Sequence, residues 1–308
     1  MPQTLIQRSL KALGARLLGK SDKLEYALAC LLAGGHLLIE DVPGVGKTTL
    51  AKSLASCFDV AFKRIQFTSD LLPSDLIGVT IYRQKEERFE FNRGPIFTNV
   101  LLADEVNRAN PKTQSALLEA MHEGQISHDN ETFQLPRPFF VIATQNSKDH
   151  HGTFPLPESQ LDRFLMRLRL GYPEAEDEKS VIKGEYESSD QMIHVSHVDD
   201  LMQLQGISND VAVADEVLDY IYQIVDATRR HENIRVGVSP RGGQAMYRAV
   251  KALALVRGRT FVVPDDVREL APLIFGHRIL AKNTLGTLDD EPSRALFESI
   301  LDALPSPV

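Results

Sequence analysis

The sequence has little cysteine, no long apolar run and no long basic run, and each of these absences excludes a class of protein. Its two cysteines, Cys30 and Cys57, are too few for a disulfide framework or a zinc site, so we expect a cytoplasmic protein with buried, inert thiols. No apolar stretch approaches the length of a membrane span, and the N-terminus lacks the apolar centre of a signal peptide. A net charge of −8 without a basic run argues against nucleic acid as the main partner.

The most informative stretch is a glycine-containing loop that ends in Gly46-Lys47-Thr48. It follows the apolar run 36–40, which predicts a buried strand, and it precedes a segment with helical spacing. Glycines let backbone N–H groups wrap a phosphate, and a helix N-terminus adds favourable partial charge. Lys47 would reach the outer phosphates of a nucleotide, and Thr48 would ligate Mg²⁺. The predicted nucleotide-binding residues are Asp41, Val42, Pro43, Gly44, Val45, Gly46, Lys47, Thr48 and Thr49.

One residue of this loop breaks the usual G-x-x-x-x-G-K-[ST] pattern, because the first glycine position holds Asp41. Aspartate tolerates unusual backbone dihedrals better than most residues. Its negative charge is unfavourable beside a triphosphate unless the carboxylate points away. A chance Gly-Lys-Thr turn is therefore the alternative interpretation of the loop.

Polar side chains follow two further apolar runs. Asp104 and Glu105 end the run that starts at residue 100, and Asn146 follows the run 139–144. Ligands of parallel sheets collect at the carboxyl ends of strands. Asp104 could hold Mg²⁺ there, Glu105 could act as the general base on the attacking water, and Asn146 could hydrogen-bond the γ-phosphate. The alternatives are two solvated acids that cap the next helix and a plain turn at Asn146.

Two arginines occur in patterns that suggest an anion. Arg163 lies in the segment Pro157-Glu158-Ser159-Gln160-Leu161-Asp162-Arg163-Phe164, and its planar guanidinium suits phosphate oxygens. The alternative is a surface ion pair with Asp162 or Glu158. Arg241 follows Ser239 and Pro240, which predict a capped helix start. The helix dipole does not favour a cation there, so Arg241 weakly indicates an anionic partner.

The order of predicted elements indicates an α/β protein with a second, mainly helical part. Buried apolar strands that alternate with helices imply a parallel sheet covered on both faces. Residues 79–91 and 124–138 each predict a β-hairpin. Composition shifts after Tyr172-Pro173 towards acidic, helix-prone sequence. We therefore expect a nucleotide-binding core at residues 1–190 and a helical domain at residues 191–308.

Taken together, these features resemble the AAA+ ATPases, and within them the MoxR family, from about Leu17 to Arg278. The resemblance implies a P-loop AAA+ core with a central parallel sheet and two β-hairpin insertions, shared with magnesium chelatases and MCM helicases, followed by a smaller helical lid. It also implies Walker A, Walker B, sensor 1, arginine-finger and sensor 2 roles for matching residues. One departure is Ser147 where the family often has proline, followed by an atypical loop at 148–152. The motifs that carry the likeness are Glu40 to Thr48, Arg64 to Thr68, Asp70 to Asp75, Gly94 to Phe97, Leu101 to Ala109, Ala143 to Asn146 and Pro155 to Phe164.

The resemblance assigns these roles to single residues. They are Walker A for Gly46, Lys47 and Thr48, Walker B for Asp104 and Glu105, sensor 1 for Asn146, arginine finger for Arg163 and sensor 2 for Arg241.

The resemblance implies an Mg²⁺-dependent ATP hydrolase in a homo-oligomeric ring, a hexamer, that remodels or matures a protein partner as a chaperone. MoxR-like proteins are associated with partners that carry von Willebrand factor A domains. This chain has no D-x-S-x-S motif of its own, so such a partner would be a separate chain. Three alternatives stay open: an MCM-like nucleic-acid translocase, a nucleotide-gated scaffold without turnover, and a small-molecule kinase or GTPase.

Overall fold

A computed structural model describes residues 2–129, 131–146, 153–184, 194–282 and 290–307. Its strands are β1 Leu37–Glu40, β2 Phe62–Gln66, β3 Gly78–Arg83, β4 Arg88–Arg93, β5 Val100–Asp104, β6 Gln125–His128, β7 Glu131–Gln134, β8 Phe140–Gln145, β9 Met166–Leu168, β10 Ile234–Val236 and β11 Leu280–Ala281. Its helices are α1 Pro2–Gly14, α2 Ser21–Leu32, α3 Lys47–Cys57, α4 Pro73–Ile77, α5 Pro111–Glu123, α6 Glu158–Leu161, α7 Ala175–Lys183, α8 Val198–Asp210, α9 Asp215–Arg230, α10 Pro240–Val256, α11 Pro264–Phe275 and α12 Asp290–Ala303.

The centre of the molecule is a five-stranded sheet in the order β2-β5-β8-β1-β9, with every pair parallel. The predicted α/β class and the parallel sheet are confirmed. Because all strands run the same way, their carboxyl ends share one edge of the sheet and their amino ends share the other. The segments that follow β1, β5 and β8 therefore meet at the carboxyl edge.

Side chains of the central strands alternate between two apolar layers, as the pleat requires. Leu37 and Ile39 face one layer together with helices α1, α2 and α3 and most of the helical part. Leu38 faces the other layer, where Leu117 and Leu118 of α5 cover the sheet. Cys30 and Cys57 are both buried in the first layer, as predicted.

Both predicted hairpins are present, as β3–β4 and β6–β7. They contact each other rather than extending independently. Phe91 of β4 stacks on Phe133 of β7, with ring centroids 4.5 Å apart. Thr80 of β3 donates to Asp129 across the same contact at 2.7 Å. The two insertions therefore form one joined unit.

The helical part surrounds α10, whose residues Ala245 to Val256 are largely buried. It packs on α2 and on the side of the sheet where the strands begin: Arg278 donates to Asp162 at 2.7 Å and Arg257 donates to Glu25 at 3.1 Å. Strands β10 and β11 of the helical part form a short antiparallel pair that the sequence did not predict. The proposed boundary at residue 190 lies outside the described residues. Nowhere in the described ranges is a helix both long and apolar enough for a membrane crossing.

Candidate active site

The glycine-containing loop runs from the end of β1 into α3 and is shaped by its glycines. Gly44 and Gly46 have φ angles of 88° and 95°, in the left-handed region where side chains are disfavoured. A Cβ atom on Gly46 would lie 2.4 Å from Cδ1 of Leu17. The first turn of α3 has no side-chain cap and no acidic residue, so its N–H groups are available to an anion. This loop fits a polyphosphate.

The Asp41 carboxylate points away from the loop interior. Its Oδ2 accepts from the N–H of Gly171 at 2.6 Å, and its Oδ1 accepts from the N–H of Val42 at 2.9 Å. Asp41 is only 8% exposed. The negative charge of Asp41 therefore does not face the phosphate-binding volume, because backbone N–H groups hold both of its carboxylate oxygens. One of these donors, Gly171, lies just beyond β9.

Lys47 extends from the first turn of α3 over the loop, where its Nζ donates to the Asp41 carbonyl at 2.9 Å. Burial lowers the pKa of the Lys47 ammonium, and the charges of Asp104, Asp41 and Glu105 oppose that shift. The carboxylates of Asp104 and Glu105 are therefore close enough to Lys47 to interact with its charge.

Asp104 closes β5 with both carboxylate oxygens engaged. Thr144 of β8, fully buried, donates to Oδ1 at 2.6 Å, and Arg64 of β2 donates to Oδ2 at 2.6 Å. Thr144 Oγ1 also accepts from the N–H of Glu105 at 2.9 Å. Neighbouring strands on both sides therefore fix the two acids. Sequence reasoning missed Thr144 and Arg64 as site residues, although each lies within two residues of the end of its strand, β8 or β2.

Glu105 has a left-handed backbone, with φ of 55° and ψ of 50°. Non-glycine residues adopt this region at a cost, and such strain is concentrated at functional sites. Its carboxylate lies 2.8 Å from Nε of Arg108. The strained turn aims Glu105 differently from Asp104, which suits two acids with different roles.

Asn146 follows β8, the strand that lies between β1 and β5. Asn146 therefore lies at the carboxyl edge between the phosphate loop, which follows β1, and the acids, which end β5. The atypical segment after it, from Ser147 to Gly152, lies outside the described residues. The carboxyl edge thus brings together the predicted residues of the loop with Asp104, Glu105 and Asn146.

The two predicted arginines lie at the other edge of the sheet, in a separate cavity of about 1190 Å³. Gly34, Gly35 and His36, which precede β1, form part of its wall. The cavity is strongly basic, because five arginines and one aspartate line it. These residues are Asp162, Arg163, Arg229, Arg241, Arg248 and Arg278.

Neither predicted arginine is paired with a carboxylate among the described residues. Arg163 donates to the Leu118 carbonyl at 2.7 Å, and Arg241 donates to Nδ1 of His122 at 3.2 Å. Asp162 pairs instead with Arg278, and Glu158 pairs with Arg235 at 3.8 Å. The alternative of a surface ion pair for Arg163 is therefore not observed. Ser239 caps α10 as predicted, accepting from the N–H of Gly242.

His36 lies in the wall of this cavity and is held neutral. Its Nδ1 accepts from the N–H of Val141 at 3.1 Å, so its Nε2 donates to the Met121 carbonyl at 3.0 Å. Burial lowers the pKa of His36 to about 4. Across the described ranges, no group of three or more His, Cys, Asp and Glu residues is arranged to hold a metal ion.

Comparison with known proteins agrees with this geometry. A model of the ATPase family associated with various cellular activities (AAA) matches residues 36–166, and a model of the AAA lid domain matches residues 226–298. A crystal structure of a presumed ATPase from Cytophaga hutchinsonii is similar, with a TM-score of 0.89 and 36% identity. That likeness covers 100% of this chain and 96% of the other.

Curated relatives are similar over nearly the whole chain. YeaC, an uncharacterized protein of Bacillus subtilis, is 45% identical over 99% of this chain and 95% of its own length. The chaperone MoxR1 of Mycobacterium tuberculosis is 41% identical over 94% of this chain and 78% of its own length. Protein MoxR of Paracoccus denitrificans is 29% identical over 95% and 92%, respectively.

Proposed function

Because the chain belongs to the MoxR family of AAA+ ATPases and is an ATP hydrolase, we propose that it works as an Mg²⁺-dependent homo-oligomeric ring. In this ring, two neighbouring copies build each ATP site. A hexamer is the ring size implied by the family resemblance. One copy supplies the phosphate loop and the acids. The next copy supplies Arg163 and Arg241.

The carboxyl edge offers the groups that ATP and Mg²⁺ need. Backbone N–H groups of the loop and the Lys47 ammonium would hold the phosphates. The Thr48 hydroxyl and an Asp104 oxygen are hard oxygen donors that would hold Mg²⁺, which would neutralise charge on the phosphates when bound. Glu105 would orient and deprotonate the attacking water, and Asn146 would hydrogen-bond the γ-phosphate.

The observation that supports a shared site most strongly is the position of the two arginines. They line a cavity at the amino edge of the sheet, whereas the phosphate loop follows the carboxyl end of β1. Strands of four to six residues separate these edges by roughly 13–20 Å. This separation supports the proposal that Arg163 and Arg241 act on a nucleotide held by another copy.

A protein is the partner that the hairpin surface favours. Tyr82 and Phe89 near the hairpin tip are 54% and 74% exposed, and their rings pack together at 5.1 Å. The adjacent charges are mixed in sign, with Arg83 paired to Glu90 and Arg88 paired to Glu86. An MCM-like translocase would need a basic surface instead. We therefore propose that the ring remodels a protein client in the cytoplasm as it hydrolyses ATP. The family resemblance suggests a client that carries a von Willebrand factor A domain.

The shared site is tested by mixing two inactive variants. Arg163→Ala should keep ATP binding and lose turnover, since a finger arginine contributes roughly 10³–10⁵ in rate. Glu105→Gln should also bind ATP without turnover. Mixed rings should recover activity, because a Glu105→Gln subunit supplies Arg163 to a neighbour with an intact base.

The control is Arg230→Ala, which removes an exposed arginine paired with Asp226 on α9. It should retain the activity of the unmodified chain. If no mixing ratio restores phosphate release, the arginine and the base do not act across a subunit boundary. Steady phosphate release by the unmodified ring would also reject the alternative of a scaffold without turnover.

A further inference from the structure

The basic cavity contains more arginines than the sequence motifs account for. Arg163 and Arg241 were predicted, and Arg278 is neutralised by Asp162. Arg229 donates to the Val238 carbonyl at 2.9 Å and so closes a turn of its own domain. Arg248 makes no comparable contact with the described residues. The chain as a whole carries a net charge of −8, so this concentration of cations is not a general property of its surface.

Arg248 lies on the same face of α10 as Arg241. The two residues are seven positions apart, which is two helical turns and about 10 Å along the axis. Both line the cavity, together with Arg163 from the segment before β9. Three guanidinium groups from two parts of the fold therefore face one volume.

Among the described residues that line the cavity, the one carboxylate is that of Asp162, which is already paired with Arg278. In the part of the chain that the structure describes, no hydrogen bond or ion pair is found for the guanidinium of Arg248. Its electrostatic neighbours are the Arg241 and Arg278 cations and the buried thiol of Cys30. Arg248 is exposed in the single chain, and the protein around the cavity lowers the pKa of its guanidinium by desolvation.

Two half-buried arginines of the helical part, Arg257 and Arg259, show what a structural role involves, whereas Arg248 is exposed in the single chain. Arg257 donates to Glu25 and Glu269, and Arg259 makes two bonds to the buried carboxylate of Asp266. Each is stabilised by charge-assisted hydrogen bonds inside the chain. Arg248 instead adds to the positive charge of a cavity that five arginines and one aspartate line, which favours an external anion with many acceptor oxygens.

We propose that Arg248 is a third phosphate-binding arginine, which holds the polyphosphate of the nucleotide bound by a neighbouring copy alongside Arg163 and Arg241. This rests on the proposed function, because the neighbouring copy supplies the anion. A single carboxylate offers two acceptor oxygens, whereas a polyphosphate offers enough for three forked guanidinium groups. The chemistry of the cavity therefore matches the polyphosphate better than an acidic side chain.

The experiment measures steady-state ATPase kinetics of Arg248→Gln and Arg248→Lys rings. Loss of a charge-assisted hydrogen bond should lower kcat/KM about 10- to 100-fold in Arg248→Gln. Arg248→Lys keeps the charge and should lose less. Arg230→Gln is the matched control and should retain the kcat/KM of the unmodified chain. Equal thermal unfolding midpoints will show that each variant is folded.

Mixing separates this inference from the shared site itself. Arg248→Gln mixed with Glu105→Gln should regain activity, as Arg163→Ala mixed with Glu105→Gln should. Unchanged kcat/KM in Arg248→Gln would overturn the role of Arg248 and leave the shared site standing. The same holds if Arg248→Gln is impaired but is not rescued while Arg163→Ala is rescued. Failure of both mixtures would overturn the shared site and this inference together.

Discussion

At the residue scale, Asp41 shows how an acid can occupy a phosphate loop. Its two oxygens accept from the N–H groups of Val42 and Gly171, and its carbonyl accepts from Lys47. The carboxylate thus ties the loop to the segment after β9. The negative charge is turned away from the volume that the N–H groups of α3 face.

Replacement of Asp41 with asparagine should weaken nucleotide binding by about tenfold. The amide presents an N–H group to one backbone donor, which leaves that donor unsatisfied at a cost of roughly 1–3 kcal/mol. Titration of each variant with ATP measures the Kd. Lys47→Ala should abolish binding, and Asp219→Asn, at an exposed position of α9, should have no effect. An unchanged Kd for Asp41→Asn would contradict the role of the Gly171 bond.

The residues of the site differ in how far sequence could place them. Lys47, Asp104 and Asn146 follow apolar strands, and the carboxyl ends of parallel strands meet at one edge, so their proximity was predictable. The partner of Asp41 was not, since Gly171 lies 130 positions away and contributes only a backbone N–H. Arg64 and Thr144 were missed because a polar residue near a strand end has many possible neighbours.

At the element scale, the two hairpins behave as one unit because aromatic and polar contacts join them. The alternation of apolar and polar residues predicted both hairpins, whereas it could not predict that the two hairpins contact each other. Phe91 packs against Phe133, Phe97 and His128, yet Phe91 belongs to one predicted hairpin whereas His128 and Phe133 belong to the other. A motion of either hairpin is expected to move the other.

A double-mutant cycle on Phe91 and Phe133 measures this coupling. Stacked aromatic pairs contribute about 0.5–1.5 kcal/mol beyond their burial, so the two alanine variants should be non-additive by that amount. Denaturant unfolding gives the free energies. Phe89→Ala, at a 74% exposed position on the same strand, should be nearly additive with Phe133→Ala. Additivity of Phe91 and Phe133 would mean that the hairpins are energetically independent.

At the scale of the whole molecule, the fold separates the phosphate loop from the basic cavity, and our proposal assigns that cavity to the nucleotide of a neighbouring copy. The α/β class, the hairpins and the helical second part followed from the pattern of apolar runs. The relation between the two edges did not, because it depends on where the helical part packs. That packing, through Arg278 on Asp162 and Arg257 on Glu25, places Arg241 and Arg248 beside Arg163 and away from the phosphate loop.

The most direct test is a structure of assembled Glu105→Gln rings with ATP and Mg²⁺. Our account predicts the triphosphate at the loop of one copy, with Lys47 and Asp104 of that copy around it and Arg163 and Arg241 of the next copy within hydrogen-bond distance of the phosphates. A nucleotide contacted by all of these residues from a single chain, or one that no neighbouring arginine approaches, would contradict it.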